Sequence, residues 1–256
     1  MSERAYEYRG MVAAYWDLFR GDTSNWSDRP FYRGFVEQFG QPALDIGCAT
    51  GRILINFRAQ GIDIDGVDVS PEMLSICNRK AGEQDLEVNL YQQSIEGLDM
   101  PRKYRTILVP SSTFQLLVEP EQVREGMRRL FAHLQPGGAL VMPFMLIWQE
   151  GQPLEEETVN EAILPESGDL IRRIMRSRYD PLNQLEHSET IFQVFKAGEM
   201  VAEEQHQRSP ATRWYTLDQV ADLYRETGFE EIQAYSGFTR EPYKEGDELF
   251  TVVGVR

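Results

Sequence analysis

A chain of 256 residues with 41% hydrophobic content can bury one sizeable core, enough for a single α/β domain with an elaboration. Its formal net charge of −15 argues against a nucleic-acid partner, because affinity for a phosphate backbone rests on Lys and Arg neutralising phosphates. No apolar run reaches the length of a membrane span, and the opening MSERAYEYRG lacks the apolar core of a signal peptide, which predicts a cytoplasmic protein with no membrane partner.

In chain order, Met11, Val12, Tyr15, Trp16 and Phe19 recur at helical spacing and predict an amphipathic first helix whose default role is packing. A second helix around Pro30 to Phe39 leads into the segment ALDIGCATGR, Ala43 to Arg52. Its apolar start suits a central strand. Gly47 and Gly51 then allow backbone N–H groups to approach a ligand closely along the loop Gly47-Cys48-Ala49-Thr50-Gly51. The loop lacks the G-x-G-x-x-G spacing of a dinucleotide site, and Asp45 just before it repels phosphate but attracts an ammonium or sulfonium group. A cationic amino acid–nucleoside fits this loop better than NAD.

The run GIDIDGVDVS, Gly61 to Ser70, predicts a second strand ending in Asp68, where a carboxylate meets a ribose diol, followed by Val69. Ser70-Pro71-Glu72 marks a helix start, and Met73 follows where it can lie against a flat ring. Strands are predicted at Glu87 to Tyr91, Tyr104 to Val109 and Ala139 to Phe144. Between the last two, a helix from Glu119 to Leu134 is stopped by Pro136, Gly137 and Gly138, with His133 expected to cap its negative end. Alternation of strand and helix predicts a doubly wound, mainly parallel sheet.

After Phe144 the rhythm changes. Glu150 to Gly168 reads as an acidic loop with a solvated Glu155-Glu156-Glu157 run, and Asp169–Tyr179, Gln184–Lys196 and Glu199–Arg208 read as three antiparallel strands. The chain closes with a helix capped by Thr216 and running to Glu226, then two strands near Glu230–Tyr235 and Leu249–Val255. Cys48 and Cys77 lie too far apart in sequence for a redox or zinc motif and are expected to be reduced and structural. No metal is expected.

With its loop, Asp68 and the later HLQPGG, the chain resembles the class I S-adenosylmethionine-dependent methyltransferases over nearly its whole length. The resemblance implies a doubly wound, seven-stranded Rossmann-like sheet ending in an antiparallel pair, with an additional antiparallel strand block. It implies S-adenosylmethionine as cofactor and S-adenosylhomocysteine as product. Position by position, Asp45, Gly47, Ala49 and Gly51 match the motif that holds the methionine part, and Asp68 matches the ribose-binding acid. Gln93 and Ser94 match the adenine-edge position, and Pro110 and Ser111 match the place where backbone carbonyls and the acceptor meet the methyl donor. Ala49 departs from the family's usual glycine and adds one methyl to a tight turn. The same analogy has Tyr15 closing over the cofactor, where its ring face stabilises a sulfonium, with Trp26 and Tyr32 as weaker candidates for that lid.

The expected organisation is a helical lid over residues 1–40, a cofactor-binding core over 41–148, an antiparallel insert on the acceptor side over 149–215, and a completing helix and strand pair over 216–256. The segment Pro110-Ser111-Ser112-Thr113-Phe114 lacks the Asn/Asp-Pro-Pro-aromatic signature of enzymes that methylate exocyclic or amide nitrogens, so the acceptor is expected to be a small molecule, methylated on N or O. Candidate bases are His187 and His206, on the predicted extra strands. Phe114, Phe144, Trp148 and Arg213 are the pocket candidates, with Trp214 and Tyr215 beside Arg213. Two other classes are weighed against this one: a non-catalytic cofactor-binding subunit, and an NAD-dependent oxidoreductase, which both the loop spacing and the sheet's ending oppose.

Overall fold

Strands covered on both faces read as unbroken apolar runs, and the chain builds its central sheet from such runs. A computed structural model describes residues 8–256; residues 1–7, where the expected lid begins, lie outside the described residues. The chain divides into two compact units, one formed by Ser24–Ile147 with Trp214–Arg256, the other by residues 8–23 with Trp148–Arg213. Among the described residues, no helix is long and apolar enough to cross a membrane.

In the larger unit, β1 (Ala43–Ile46), β2 (Ile64–Asp68), β3 (Asn89–Gln92), β4 (Tyr104–Leu108) and β5 (Leu134–Met145) pair in parallel. The terminal strands, Glu231–Ser236 and Leu249–Val255, add an antiparallel pair, and the last one lies antiparallel against β5. The result is a seven-stranded sheet with one reversed strand. β5 starts earlier than expected, at Leu134, so Pro136-Gly137-Gly138 belongs to the strand rather than to a loop before it. The first residue of the helix α6 (Pro120–His133) is a proline, and the helix hands directly into β5.

Helices take sides around this sheet. Helix α3 (Asp28–Phe39), α4 (Leu54–Ala59) and α5 (Pro71–Gly82) bury Phe31, Phe35, Leu54, Phe57 and Cys77 in one core with Ala43 and Ile64. α6 and α7 (Leu217–Thr227) bury Val123, Met127, Leu130, Val220 and Tyr224 in a second core with Leu44, Ile46 and Ile107. The segment 28–39, grouped with the lid in the sequence reading, is therefore a sheet-packing helix. α7 carries the reciprocal capping box of Thr216 and Gln219 and stops at Gly228.

At the amino end of β2, Asp65 is buried and accepts hydrogen bonds from Arg102 (2.7 and 2.8 Å), Tyr104 Oη (2.7 Å) and Asn89 Nδ2 (3.0 Å). Arg102 also forks onto Asp63. The buried charge is thus paired and hydrogen-bonded, the condition under which a carboxylate survives inside a protein.

The smaller unit is a four-stranded antiparallel sheet, β6 (Glu155–Ile163), β7 (Leu170–Asp180), β8 (Leu185–Lys196) and β9 (Glu199–Arg213). Four strands stand where three were expected. The acidic stretch forms an edge strand held in register by cross-strand pairs, Glu157 with Arg176 (2.7 Å) and Glu161 with Arg172 (2.7 Å). The expected first helix is two short ones, α1 (Gly10–Ala14) and α2 (Trp16–Arg20), separated at Tyr15 (φ −105°, ψ 10°). Tyr15 N still donates to Met11 O at 3.0 Å, so the apolar stripe stays continuous and packs on Ile171, Phe192 and Val194.

Candidate active site

Strand alternation decides where Asp45 points. In β1, Leu44 and Ile46 face the core shared with α6 and α7, so Ala43 and Asp45 face the α3 and α4 side. β1 is flanked by β2 on one side and β4 on the other, and the chain leaves these neighbours toward opposite faces of the sheet. The crevice beyond the carboxyl ends of β1 and β4 is the switch point at which such sheets hold ligands.

Asp45 sits there fully buried, and its Oδ1 has no hydrogen-bond partner. Burial is the main cause that raises its carboxyl to about 7, against the attraction of Arg52, while Asp68 and Asp28 push the same way as burial. A buried, unpartnered carboxylate oxygen is costly and suits a cationic ligand group.

The loop after β1 is built around close approach. Gly47 and Cys48 donate their N–H groups to Val67 O at 2.7 and 2.9 Å, tying the turn to β2. Gly47 has φ +71°, and a Cβ there would fall 2.5 Å from Thr113 Cγ2. Gly51 has φ +90°, and its Cβ would meet Cys77 Sγ at 2.6 Å. Ala49 holds φ +47°, a left-handed conformation that costs a non-glycine residue about 1 kcal/mol. Its N–H donates to Asp68 Oδ2 at 2.9 Å, while Ser70 N–H donates to Asp68 Oδ1 at 2.9 Å. Asp68 therefore organises the loop and the start of α5 together. Burial raises its carboxyl, opposed by the Ser70 and Ala49 N–H groups.

Tyr32, on α3, is fully buried beside Ser111, and its hydroxyl has no hydrogen-bond partner. Beside it, Arg52 forks onto Asp28 at 2.9 and 2.5 Å and stacks on Trp26, 4.9 Å from the ring centroid.

Residues 43–138, which hold this loop, Asp68 and β4, match the family model of the methyltransferase domain. A Geobacillus sp. (strain WCH70) protein named as a methyltransferase is 25% identical over 245 residues, covering 93% of this chain and 96% of its own length. The chain carries a methyltransferase domain. Solved structures agree in fold. A Clostridium acetobutylicum S-adenosylmethionine-dependent methyltransferase superposes with a TM-score of 0.76 at 18% identity, covering 96% of this chain and 97% of that one. An S-adenosylmethionine-bound amino pentose methyltransferase from Micromonospora echinaspora gives 0.70 at 19% identity, covering 99% of each chain.

The methyltransferase's remaining candidates fall into two groups. In the larger unit, Val69 is an exposed apolar side chain beside Asp68, and Met73 is buried with its N–H on the Ser70 hydroxyl at 3.1 Å. Gln93 spends both ends of its amide on the Asp99 backbone (3.1 and 2.7 Å), which closes the turn that carries Ser94. Pro110 O accepts from the Thr113 hydroxyl at 2.7 Å, and Ser111 turns the chain with φ +57°. Phe114 and Phe144, expected in an acceptor pocket, are instead buried in the sheet's core, where Phe144 stacks on Phe250 and packs edge-on to Tyr215. Cys48 and Cys77 are both buried and free. The Cys48 thiol is pushed well up, first by its hydrogen bond with Cys77 and then by burial, so Cys48 remains an inert packing group.

In the smaller unit, Tyr15 packs on Phe192 with centroids 6.1 Å apart. His187 Nδ1 meets Ser209 Oγ at 2.6 Å on the exposed sheet. His206 Nε2 lies 2.5 Å from Glu204 Oε1, which also accepts Met11 N–H at 3.0 Å, so that histidine braces the start of the first helix. Trp148 Nε1 donates to Gln152 O and Pro153 O, and Arg213 Nη1 donates to Asn183 O. His133, in the larger unit, is structural: Nδ1 pairs with Arg129 O and Nε2 accepts Met100 N–H. The sequence reading gave Tyr32 only a minor place and did not single out Asp28 or Arg52. A tyrosine within the apolar stripe Phe31, Phe35 and Val36 was the available signal.

Proposed function

We propose that this methyltransferase transfers the methyl group of S-adenosylmethionine to an N or O atom of a small-molecule acceptor. The observation that carries the reading is the buried Asp45 carboxylate with its unpartnered oxygen at the sheet's switch point. Asp45 would hold the cofactor's ammonium, the Gly47 to Gly51 backbone would lie along its methionine part, and Asp68 would take the ribose hydroxyls on the lone pairs its two N–H partners leave. Bound there, the cofactor supplies a methyl already activated by the sulfonium. What the chain must add is alignment and exclusion of water. Alignment alone is worth about 7–11 kcal/mol of barrier, more than a general base contributes, so the absence of a placed base is compatible with catalysis.

Two observations favour a small acceptor. The net charge of −15 repels a phosphate backbone, and the solved structures of like fold include an enzyme that methylates an amino pentose. Amino sugars are therefore the first acceptors to screen. Incubation with isotopically labelled S-adenosylmethionine and a panel of amines, hydroxyl compounds, RNA and protein, read by mass spectrometry, tests this. Label on an amine or hydroxyl compound is the expected result; label confined to RNA or protein would contradict it.

A further inference from the structure

Strand alternation sends the arginines of β7 to opposite faces of the smaller sheet. Arg172 and Arg176 lie on the exposed face, each with a glutamate of β6 at 2.7 Å. Arg173 lies on the other face with Ile171, where α1 and α2 pack. Its guanidinium carbon stands 4.4 Å from the Phe19 ring centroid, and Nη2 donates to Asn160 Oδ1 at 3.1 Å. Nε is buried and has no partner.

Arg173 makes no ion pair among the described residues. Asn160 and Phe192 stand opposite it on β6 and β8, and the carboxylate farther along that row, Glu204 on β9, is taken by His206 and the Met11 N–H. Burial lowers the guanidinium's pKa from the ordinary arginine value, with no neighbouring charge to raise it. A cation drawn out of water without an anion is unfavourable, and one amide and a ring face compensate it only in part.

The next row on the same face supplies further donors. Thr158 on β6 and Thr190 on β8 flank Met175 and are diagonal neighbours of Arg173, within reach of a long side chain. Both are half-buried, and neither hydroxyl has a hydrogen-bond partner among the described residues. A guanidinium between two hydroxyl donors matches a group that only accepts and carries negative charge.

We infer that Arg173, with Thr158 and Thr190, forms an oxyanion site on the smaller unit, taking the carboxylate or phosphoryl group of a small ligand. The site lies within that unit and does not depend on the cofactor assignment. On a chain of net charge −15, an anionic ligand is held only where a local cation receives it.

Inorganic phosphate and malonate probe the two kinds of anion. The melting temperature of the full chain is measured against the concentration of each, at constant ionic strength set with chloride, in the wild type and in Arg173→Met, which keeps the stem and removes the charge. Salts of this kind raise melting temperatures generally, so the site is read from the difference between the two proteins. The wild type is expected to respond to at least one anion at a concentration about tenfold lower than Arg173→Met requires, and the anion preferred identifies the group as phosphoryl or carboxylate. Without anion, Arg173→Met should melt at or above the wild-type temperature, because an unpaired charge is gone. Arg172→Met, altered on the opposite face, should respond as the wild type does. Superimposable curves for the wild type and Arg173→Met, or the same loss in Arg172→Met, would overturn the site. Should Arg173→Met not fold, Thr190→Val decides: a response several-fold weaker than the wild type's supports the site, and an unchanged one overturns it.

Discussion

Asp45 concentrates the conflict between stability and binding at a single side chain. Burial pushes its carboxyl up to about 7 from 3.8 for a free aspartate side chain, so between those values the folded chain holds a proton that the unfolded chain has released. Stability of the ligand-free protein therefore falls as pH rises through that window, and the loss is complete above about 7. Asp45→Asn removes this liability, and in urea denaturation it should stabilise the ligand-free chain by a few kcal/mol at pH 8 while giving little gain near pH 4. On the proposed cofactor assignment, the same substitution should weaken S-adenosylhomocysteine binding. Equal effects at both pH values would show that the carboxyl is not held up by burial. Asp45 was readable from sequence because an acid following an apolar run and preceding a glycine turn is locally conspicuous. Tyr32 was less so: its hydroxyl is left unpaired by the packing of α3 on the sheet, which local pattern does not reveal.

At the scale of elements, the site depends on the loops after β1 and β4 closing on each other through Gly47 and Thr113. Gly47→Ala places a Cβ 2.5 Å from Thr113 Cγ2 in a left-handed conformation and should cost roughly 2–4 kcal/mol, with loss of cofactor binding. Thr113→Ala alone loses the hydroxyl's bond to Pro110 O, at about 1 kcal/mol. The double variant should nevertheless be more stable than Gly47→Ala, since the clash is relieved; strict additivity would mean that the two loops are independent. The parallel strands and their helices were legible in the sequence because each carries its own apolar pattern and its own stop signals. β6 was not legible. Glu155, Glu156 and Glu157 show no apolar alternation, and what makes them a strand is the set of arginines on β7, a partner that local pattern does not reveal. The meeting of Cys48 with Cys77 was hidden for the same reason, since contact across α5 and the loop is a property of the fold.

Across the whole molecule, the Asp65 network braces the amino end of β2, while Asp45 and Asp68, the carboxylates proposed to hold the cofactor, stand at the carboxyl ends of β1 and β2. Arg102→Ala leaves Asp65 buried with part of its pairing gone and should cost about 3 kcal/mol of stability. S-adenosylhomocysteine affinity should be unchanged below the melting transition; a large loss would mean that the two ends of β2 are coupled. The central claim is that a buried carboxylate, ionised on binding, receives the cofactor's ammonium. Calorimetric titration with S-adenosylhomocysteine from pH 8 to pH 5 tests it most directly, because Asp45 gains its proton near 7, inside that range. The account predicts affinity that falls about tenfold per pH unit below 7 and loses most of that dependence in Asp45→Asn. Affinity that stays flat from pH 8 to pH 5 in the wild type would contradict it.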